Sequence, residues 1–473
     1  MTGTTGLCNV KKAGSMLVLV LVLTGVFLTV LSSFVWFISN QNEVVNYRFE
    51  QQRATEIAEA GLNYYKWYLA HYPGDTSGVG TYIYNDPELG PIGEFTLSVA
   101  STTYCGQVAS IDVESTAHTY VNASAVVTVS ARYSQPTVAE YSFVNNASVW
   151  YGDSRVITGP VHGNQGVKMD GFHNSYVGSG QATFDCTSSF GCSPTVYNAD
   201  GVYTTSGNAT PGLFKFPVSP IDFAGLTIDL TDMKNSAQNA GGIYYGPTTG
   251  YGYLADFQSD GTVNIYRVTN TRSYWSYSSA DGWTTNERND ITNTSFLATE
   301  TIDPTCPLLY FEDKLWIEGE INQKVSVAAA DLSSSAQTNL VIADDVTYVS
   351  GTEAGLLAIA EDDIDIGIDV PNNMVANGIY IAQNGRFGRD HYETSGSHGL
   401  PSALDPYVSR SSLTRLGSVV SNLRGGTEWT SGSTHISGFY SRVTSYDRDQ
   451  VDNPPPLTPA TSDVYVLQNW RLK

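Results

Sequence analysis

From Ala13 to Asn42 the chain carries no charged side chain, and Met16–Ile38 reads MLVLVLVLTGVFLTVLSSFVWFI, 23 residues dominated by apolar types. At about 1.5 Å per residue, such a run crosses a hydrocarbon core of about 30 Å. Lys11 and Lys12 are the only charges before it. The bias of positive flanks toward the cytoplasm therefore puts residues 1–12 inside and everything after Glu43 outside. A secretory signal would carry a shorter apolar stretch, about 7–15 residues, ending in small residues. Here the helical period continues past the membrane: Ala54, Ile57, Ala58, Gly61, Tyr65, Tyr68 and Leu69 recur on one face. Arg48, Glu50, Arg53, Glu56, Glu59 and Lys66 lie mostly on the other, and Tyr72-Pro73-Gly74-Asp75 supplies the stop. The pattern predicts one helix over 15–72, roughly 85 Å long, half apolar anchor and half amphipathic stalk.

Beyond the helix the period shortens. Phe95, Leu97 and Val99, then Val108, Ile111 and Val113, then Val126, Val127 and Val129 read as strands of a small antiparallel head over 73–144, packed on the stalk. From Asn145 onward, short apolar steps are punctuated by Gly and Asn. The unit G-x-[VI]-x-x-N occurs at Gly159–Asn164 and Gly417–Asn422, with looser relatives at Ile317–Asn322 and Gly378–Asn384. Very short strands turning at Gly or Asn, without helical period, suit a right-handed parallel β-helix-like solenoid whose asparagines ladder. An irregular β-sandwich is the alternative. The solenoid is expected to begin over 145–225, to be interrupted by an insertion over 226–303 and to resume over 304–453. Gly355–Ala382 would supply two central turns and residues from Ser411 the final ones. Residues 454–473, opening on Pro454-Pro455-Pro456, form a tail. Within the insertion, Leu254–Phe257 and Val263–Val268 flank Ser259-Asp260-Gly261, a hairpin signal because Asp-Gly supplies positive φ angles. Tyr274, Trp275, Tyr277 and Trp283 follow in an aromatic loop. The fold class is thus mainly β with a long N-terminal α-helix.

Composition sharpens the setting. Of 473 residues 15% are charged, against about 25% in an average soluble protein, so Ser, Thr, Asn, Tyr and Gly cover the surface, as suits an extracellular one. The net charge of -22, from 46 acidic and 24 basic residues, repels a phosphate backbone and excludes nucleic acid as a partner. Cys8 falls in the N-terminal segment, which leaves Cys105, Cys186, Cys192 and Cys306 as an even set in an oxidising compartment. Cys186 and Cys192 enclose a short loop that closes at small entropic cost, so a local disulfide is expected there, with Cys105 and Cys306 as the remaining pair. The spacing and the scarcity of nearby His speak against zinc.

His162, Lys168, Asp170 and His173 crowd the first turn. A lyase or hydrolase needs more than one carboxylate there, so they read as solvated turn residues. In Glu361–Asp369, Asp363 and Asp365 alternate with Ile364, Ile366 and Ile368, which puts both carboxylates on one face. That face is either solvated or a calcium site with oxygen ligands. No nucleophile elbow, phosphate loop, zincin motif or dinucleotide fingerprint occurs. No enzyme activity and no cofactor is expected.

The segment KKAG, followed by SMLVLVLVLTGVFLTVLSSFVWF and then RATEIAEAGLNYY, resembles the N-terminus of type IV pilin-like proteins, in the minor-pilin and pseudopilin branch. The likeness covers residues 11 to about 65. It implies that a prepilin peptidase cuts between Gly14 and Ser15 at the cytoplasmic face and that the new N-terminus is methylated. It further implies that the mature helix, through Leu19, Ala54, Ile57, Ala58, Gly61 and Leu62, packs among other pilin-like subunits. Major pilins usually carry Glu at the fifth mature position, where it pairs with a neighbouring subunit's amino terminus. Counted from Ser15 that position is Leu19, which points away from a shaft subunit and toward a tip or initiation role. Residues 140–473, with GPVHGNQGVKMDG, resemble β-rich outer domains of unassigned role on such anchors. The implied protein is a single-pass subunit of the inner or cytoplasmic membrane, incorporated in a type IV pilus or type II secretion-like filament. Its external body would serve assembly, tip capping or contact with a surface or glycan. The alternative is a membrane-anchored β-helix that binds or cleaves carbohydrate.

Overall fold

The computed structural model describes residues 13–473 apart from 224–229, 286–287, 335–336 and 433, with backbone alone for 13–15. The protein is mostly β, with a long N-terminal helix and both parallel and antiparallel sheets. It divides into two compact units. The first holds the chain up to Ala100, with Asp112–Arg132 and Asn469–Lys473; the second holds Ser101–Ile111 and Tyr133–Gln468.

In the first unit, α1 runs over Ala13–His71, 59 residues, or about 88 Å. Its end is built from the residues that break the period. Gly74 takes φ 74°, and Asp75 accepts from the Ser77 amide at 2.7 Å and the Tyr68 hydroxyl at 2.6 Å. Those bonds hold the Asp75 carboxyl below its ordinary range. The sheet that follows runs in the order β1 (Gly80–Asp86), β2 (Gly90–Tyr104), β3 (Gln107–Thr119), β4 (Val127–Ser134) and the C-terminal strand Val466–Leu472. Alternate residues Phe95 and Leu97 on β2, and Val113, Ser115 and Ala117 on β3, face inward. Ala54, Ile57, Ala58, Leu62, Tyr65 and Leu69 of α1 are buried at 0–1% exposure. Gly61 sets how closely helix and sheet approach: a Cβ there would overlap Ser115 Oγ and come within 2.8 Å of the Phe95 ring.

The second unit is a stack of parallel turns. Ten strands form one sheet in the order Phe214–Lys215, Val177–Ser179, Val161–Gly163, Phe143–Asn145, Val419–Ser421, Ile379–Ala382, Gly355–Ala360, Lys324–Ala329, Leu308–Phe311 and Ile243–Tyr245. Every neighbouring pair in it is parallel. A second parallel row holds Tyr253–Phe257, Leu315–Ile321, Leu340–Tyr348, Ile364–Ile366 and Phe387–Gly388. A third holds Asn373–Val375, Ser409–Leu416, Thr434–Ser445, Arg155–Thr158 and Phe172–His173. The chain visits the rows in rotation, as in Gly355–Ala360, Ile364–Ile366, Asn373–Val375, then Ile379–Ala382. This is the β-helix-like solenoid, and the sandwich alternative falls because strand neighbours in these rows are parallel rather than antiparallel.

The order of turns in space differs from their order in the chain. The chain enters at Phe143–Asn145, winds to Phe214–Lys215, reappears at the opposite end as Ile243–Tyr245, and winds back to Val419–Ser421 beside its own starting point. The turns from Ser411 onward are therefore last in sequence yet lie in the middle of the stack.

The units at Gly159, Gly378 and Gly417 mark one corner of this winding, whereas Ile317–Asn322 falls on a strand of the second row. Gly159, Gly378 and Gly417 take φ 114°, 151° and 132° where strands of the ten-stranded sheet begin. At Gly417 a side chain would overlap the Gly378 carbonyl of the adjacent turn. The asparagines at the strand exits form a ladder. Asn422 donates to the Asn384 carbonyl at 3.0 Å, Asn146 to Asn422 Oδ1 at 2.8 Å, and Asn164 to Asn146 Oδ1 at 2.9 Å.

Both faces of the ten-stranded sheet are covered, which explains why Lys324–Ala329 and Gly355–Ala360 are buried at every position. Val161, Val177, Leu309, Val325, Leu356 and Ile364 belong to the interior of the turns. Leu230, Met233 and Ala237 of α2 (Leu230–Asn239) cluster with Leu308, Tyr310, Ala328 and Leu357 of the sheet's other face. In the 226–303 region, Tyr253–Phe257 and Thr262–Arg272 pair antiparallel around Asp260-Gly261, with Gly261 at φ 87°. Asp290–Thr301 extends the hairpin.

Candidate functional site

Among the described residues, the N-terminal half of α1 carries the longest run of exposed large apolar side chains. Met16 through Ile38 expose most of their large apolar side chains, Leu19 at 60% and Trp36 at 67%. The helix is long and apolar enough to cross a membrane, with mean hydropathy 2.6 over its best window. Of the expected leader, residues 1–14, positions 1–12 lie outside the described residues. Gly14 and Ser15 fall within α1, without described side chains. Ala54, Ile57, Ala58, Gly61 and Leu62, expected to pack among subunits, are buried in this chain's own first unit. The stalk surface left open is the opposite face, including Glu56, Glu59, Asn63, Lys66 and Trp67. Glu50 lies where the stalk becomes buried, at 6% exposure, and accepts a 2.5 Å bond from Thr119 Oγ1.

Two disulfides form, Cys186–Cys192 and Cys105–Cys306. The second links residues 201 apart in sequence, and both its cysteines are buried in the cluster that contains α2.

His162, Lys168, Asp170 and His173 are not solvated turn residues; all four are at most 4% exposed. Lys168 Nζ bonds Asp170 at 2.6 Å, and Asp170 also accepts from Trp150 Nε1 at 2.7 Å and the Thr205 amide at 3.0 Å. Burial pulls the other way, yet Lys168 and these donors hold the Asp170 carboxyl below its ordinary range. His162 bonds Asn164 at 3.0 Å, and His173 bonds the Ser175 carbonyl at 2.9 Å. The strands are so short that these residues sit between stacked turns, a position that local sequence does not reveal.

Asp363 and Asp365 do share a face, but it is neither solvated nor turned to an open site. Asp363 is 8% and Asp365 1% exposed. The charge they meet is the chain's own Arg386, whose side chain is 2% exposed. Arg386 Nη1 lies 3.2 Å from Asp365 Oδ1, Nε 3.5 Å from Asp363 Oδ2, and Nη2 2.7 Å from Asp390 Oδ1. Asn289 Nδ2 donates to Asp365 at 3.2 Å. Burial and then Asp365 push the Asp363 carboxyl up to about 8, and burial pushes Asp390 up to about 6. Three carboxylates on one buried guanidinium cannot all stay charged cheaply, so a proton shared in the cluster is the expected state. Sequence reading missed Arg386 and Asp390. The nearest signal was the Arg386–Arg389–Asp390 run of charges directly after Asn384.

The nearby aromatic loop packs as well. Trp283 stacks on His398 at 4.3 Å, and Tyr277 meets Trp429 at 5.5 Å. Tyr274 joins Tyr392, Leu400, Leu404 and Ile368 in an outer cluster.

No family model matches this chain, and no curated protein does. Among solved structures, one similar chain is the competence-associated pilin ComZ from Thermus thermophilus. It is 14% identical, with 90% of this chain and 97% of that chain covered, at a TM-score of 0.31. A likeness of that size carries no argument about what this chain does.

Proposed function

We propose that this chain is a minor pilin-like subunit, anchored by α1 and carrying its β-rich body outside the cell for assembly, tip capping or surface contact. The observation that carries the reading is the division of α1. Residues 54–69 bury an apolar face within the chain, whereas residues 16–38 expose a continuous apolar surface that a bilayer, and then neighbouring helices, would cover. The resemblance of residues 11–65 adds the processing step: a prepilin peptidase cuts after Gly14, Ser15 becomes the methylated N-terminus, and other pilin-like helices pack on the freed rod. With Leu19 at the fifth mature position, the chain lacks a carboxylate for a neighbour's terminal amine, which suits the first or outermost subunit better than the shaft.

The test is mass spectrometry of the N-terminus from native membranes, together with cross-linking through Val30→Cys on the exposed half. A methylated Ser15 start and cross-links to pilin-like subunits are expected. A Met1 start with a rod that cross-links to nothing would sink the reading.

A further inference from the structure

A second group of side chains has the geometry of an acyl-transfer site that no motif announced. On the third row of the solenoid, Ser409 begins the strand Ser409–Leu416, His435 lies on Thr434–Ser445, and Glu428 opens the antiparallel strand Glu428–Ser431. Ser409 Oγ is 3.1 Å from His435 Nε2, and Glu428 Oε1 is 3.2 Å from His435 Nδ1. One imidazole thus joins a hydroxyl to a carboxylate through its two nitrogens.

The direction of these bonds follows from the partners. Arg442 bonds Glu428 Oε2, and Ser154 donates to the same oxygen at 3.0 Å. Glu428 paired to a guanidinium is a carboxylate and can only accept, so Nδ1 must carry the proton. In a neutral ring Nε2 then has a lone pair, and Ser409 is left to donate into it. A hydroxyl donating into a neutral imidazole that a carboxylate orients is the ground state of an activated serine nucleophile. The ring is fixed in this pose: Tyr440 stacks on it at 3.7 Å. His435 is 9% and Glu428 14% exposed at the side chain, Ser409 is half-buried, and Tyr440 and Ile436 on the same strand are 55% and 40% exposed. The nucleophile is therefore within reach of solvent beside an apolar surface, while the carboxylate is sheltered. Arg155 also lies on the Glu428 side, donating to Thr427 at 2.8 Å.

We propose that Ser409, His435 and Glu428 form a site that cleaves or transfers small acyl esters. Ser409 Oγ adds to the ester carbonyl carbon as its proton passes to His435 Nε2. The carbon–oxygen bond to the alcohol breaks, and the leaving oxygen takes that proton. Water then attacks the acyl-Ser409 ester and gives its proton to the same nitrogen. The carboxylic acid departs, and Ser409 regains its hydrogen. Glu428 orients the ring and faces the imidazolium formed in each half.

The test uses the full chain in detergent with a fluorophosphonate probe and p-nitrophenyl acetate. The expected result is one covalent adduct, mapped to Ser409, that is absent from Ser409→Ala and from thermally unfolded wild-type chain. His435→Gln should slow adduct formation by at least about 100-fold. Glu428→Gln should slow adduct formation and Glu428→Asp should restore part of the rate, because the shorter side chain again offers a carboxylate to the Nδ1 proton. Acetate release should follow the same order. Labelling of Ser409 no faster than of other serines, or rates undiminished in His435→Gln, would overturn the proposal. The readout does not depend on the N-terminus or on filament assembly, so it stands or fails separately from the anchor reading.

Discussion

Gly61 shows how one missing carbon fixes the spacing of two elements. Gly61→Ala gains about 1 kcal/mol of helix propensity but forces a Cβ into Ser115 and Phe95, at a cost of about 1–3 kcal/mol. A net loss is expected, read as a lower urea midpoint, and Gly61→Leu should free the helix from the sheet altogether. Titratable residues act at the same scale. Burial is the first cause that raises Asp363 to about 8, Glu318 to about 7, and Asp290 and Asp390 to about 6. Unfolded carboxyls titrate near ~4, so between about pH 4 and pH 8 the folded state holds protons that the unfolded chain has released. These four groups therefore contribute stability that falls as pH rises through that window. Differential scanning calorimetry should show the solenoid's Tm dropping from about pH 4 to about pH 8, and Asp363→Asn should remove the upper part of the drop. A profile that rises with pH would contradict the burial of these groups.

Among elements, the two disulfides constrain very different loops. In the chain-entropy account, closing the 201-residue separation of Cys105–Cys306 is worth about 5 kcal/mol and the 6-residue separation of Cys186–Cys192 about 2 kcal/mol. The paired change Cys105→Ser and Cys306→Ser should lower the guanidinium midpoint clearly more than Cys186→Ser with Cys192→Ser. Elements whose cause is local were legible in the sequence: the helix through its period, the hairpin through Asp260-Gly261, and the corner through Gly417 and Asn422. Elements defined by what covers them were not. In α2, the spacing of Leu230, Met233 and Ala237 is one short stripe in a polar stretch. The alternation of Asp363 and Asp365 identifies a shared face but cannot say that Arg386 lies over it. Ser409, Glu428 and His435 are brought together by strand pairing, and their spacing in the chain carries no motif.

For the whole molecule, the seam between Val419–Ser421 and Phe143–Asn145 decides how the body is assembled. The ladder bond from Asn146 to Asn422 joins residues 276 apart, and a contact that distant is entropically slow to form. The seam is therefore expected to close late in folding. Asn146→Ala should accelerate unfolding while leaving the refolding rate nearly unchanged, a φ-value near ~0, measured by stopped-flow fluorescence. The sequence displayed turns but not their order, because Gly-to-Asn corners of one kind fit beside one another in more than one arrangement. The order has a consequence for how such a body can change. Because the polypeptide joins the stack midway, the strands at its two tips, Phe214–Lys215 and Ile243–Tyr245, are internal to the chain, and neither tip is a terminus that can fray. A rung added at either tip would lengthen the body and leave the pairing of Val419–Ser421 with Phe143–Asn145 as it is, at the cost of one more strand spacing for the segment between Lys215 and Ile243 to span.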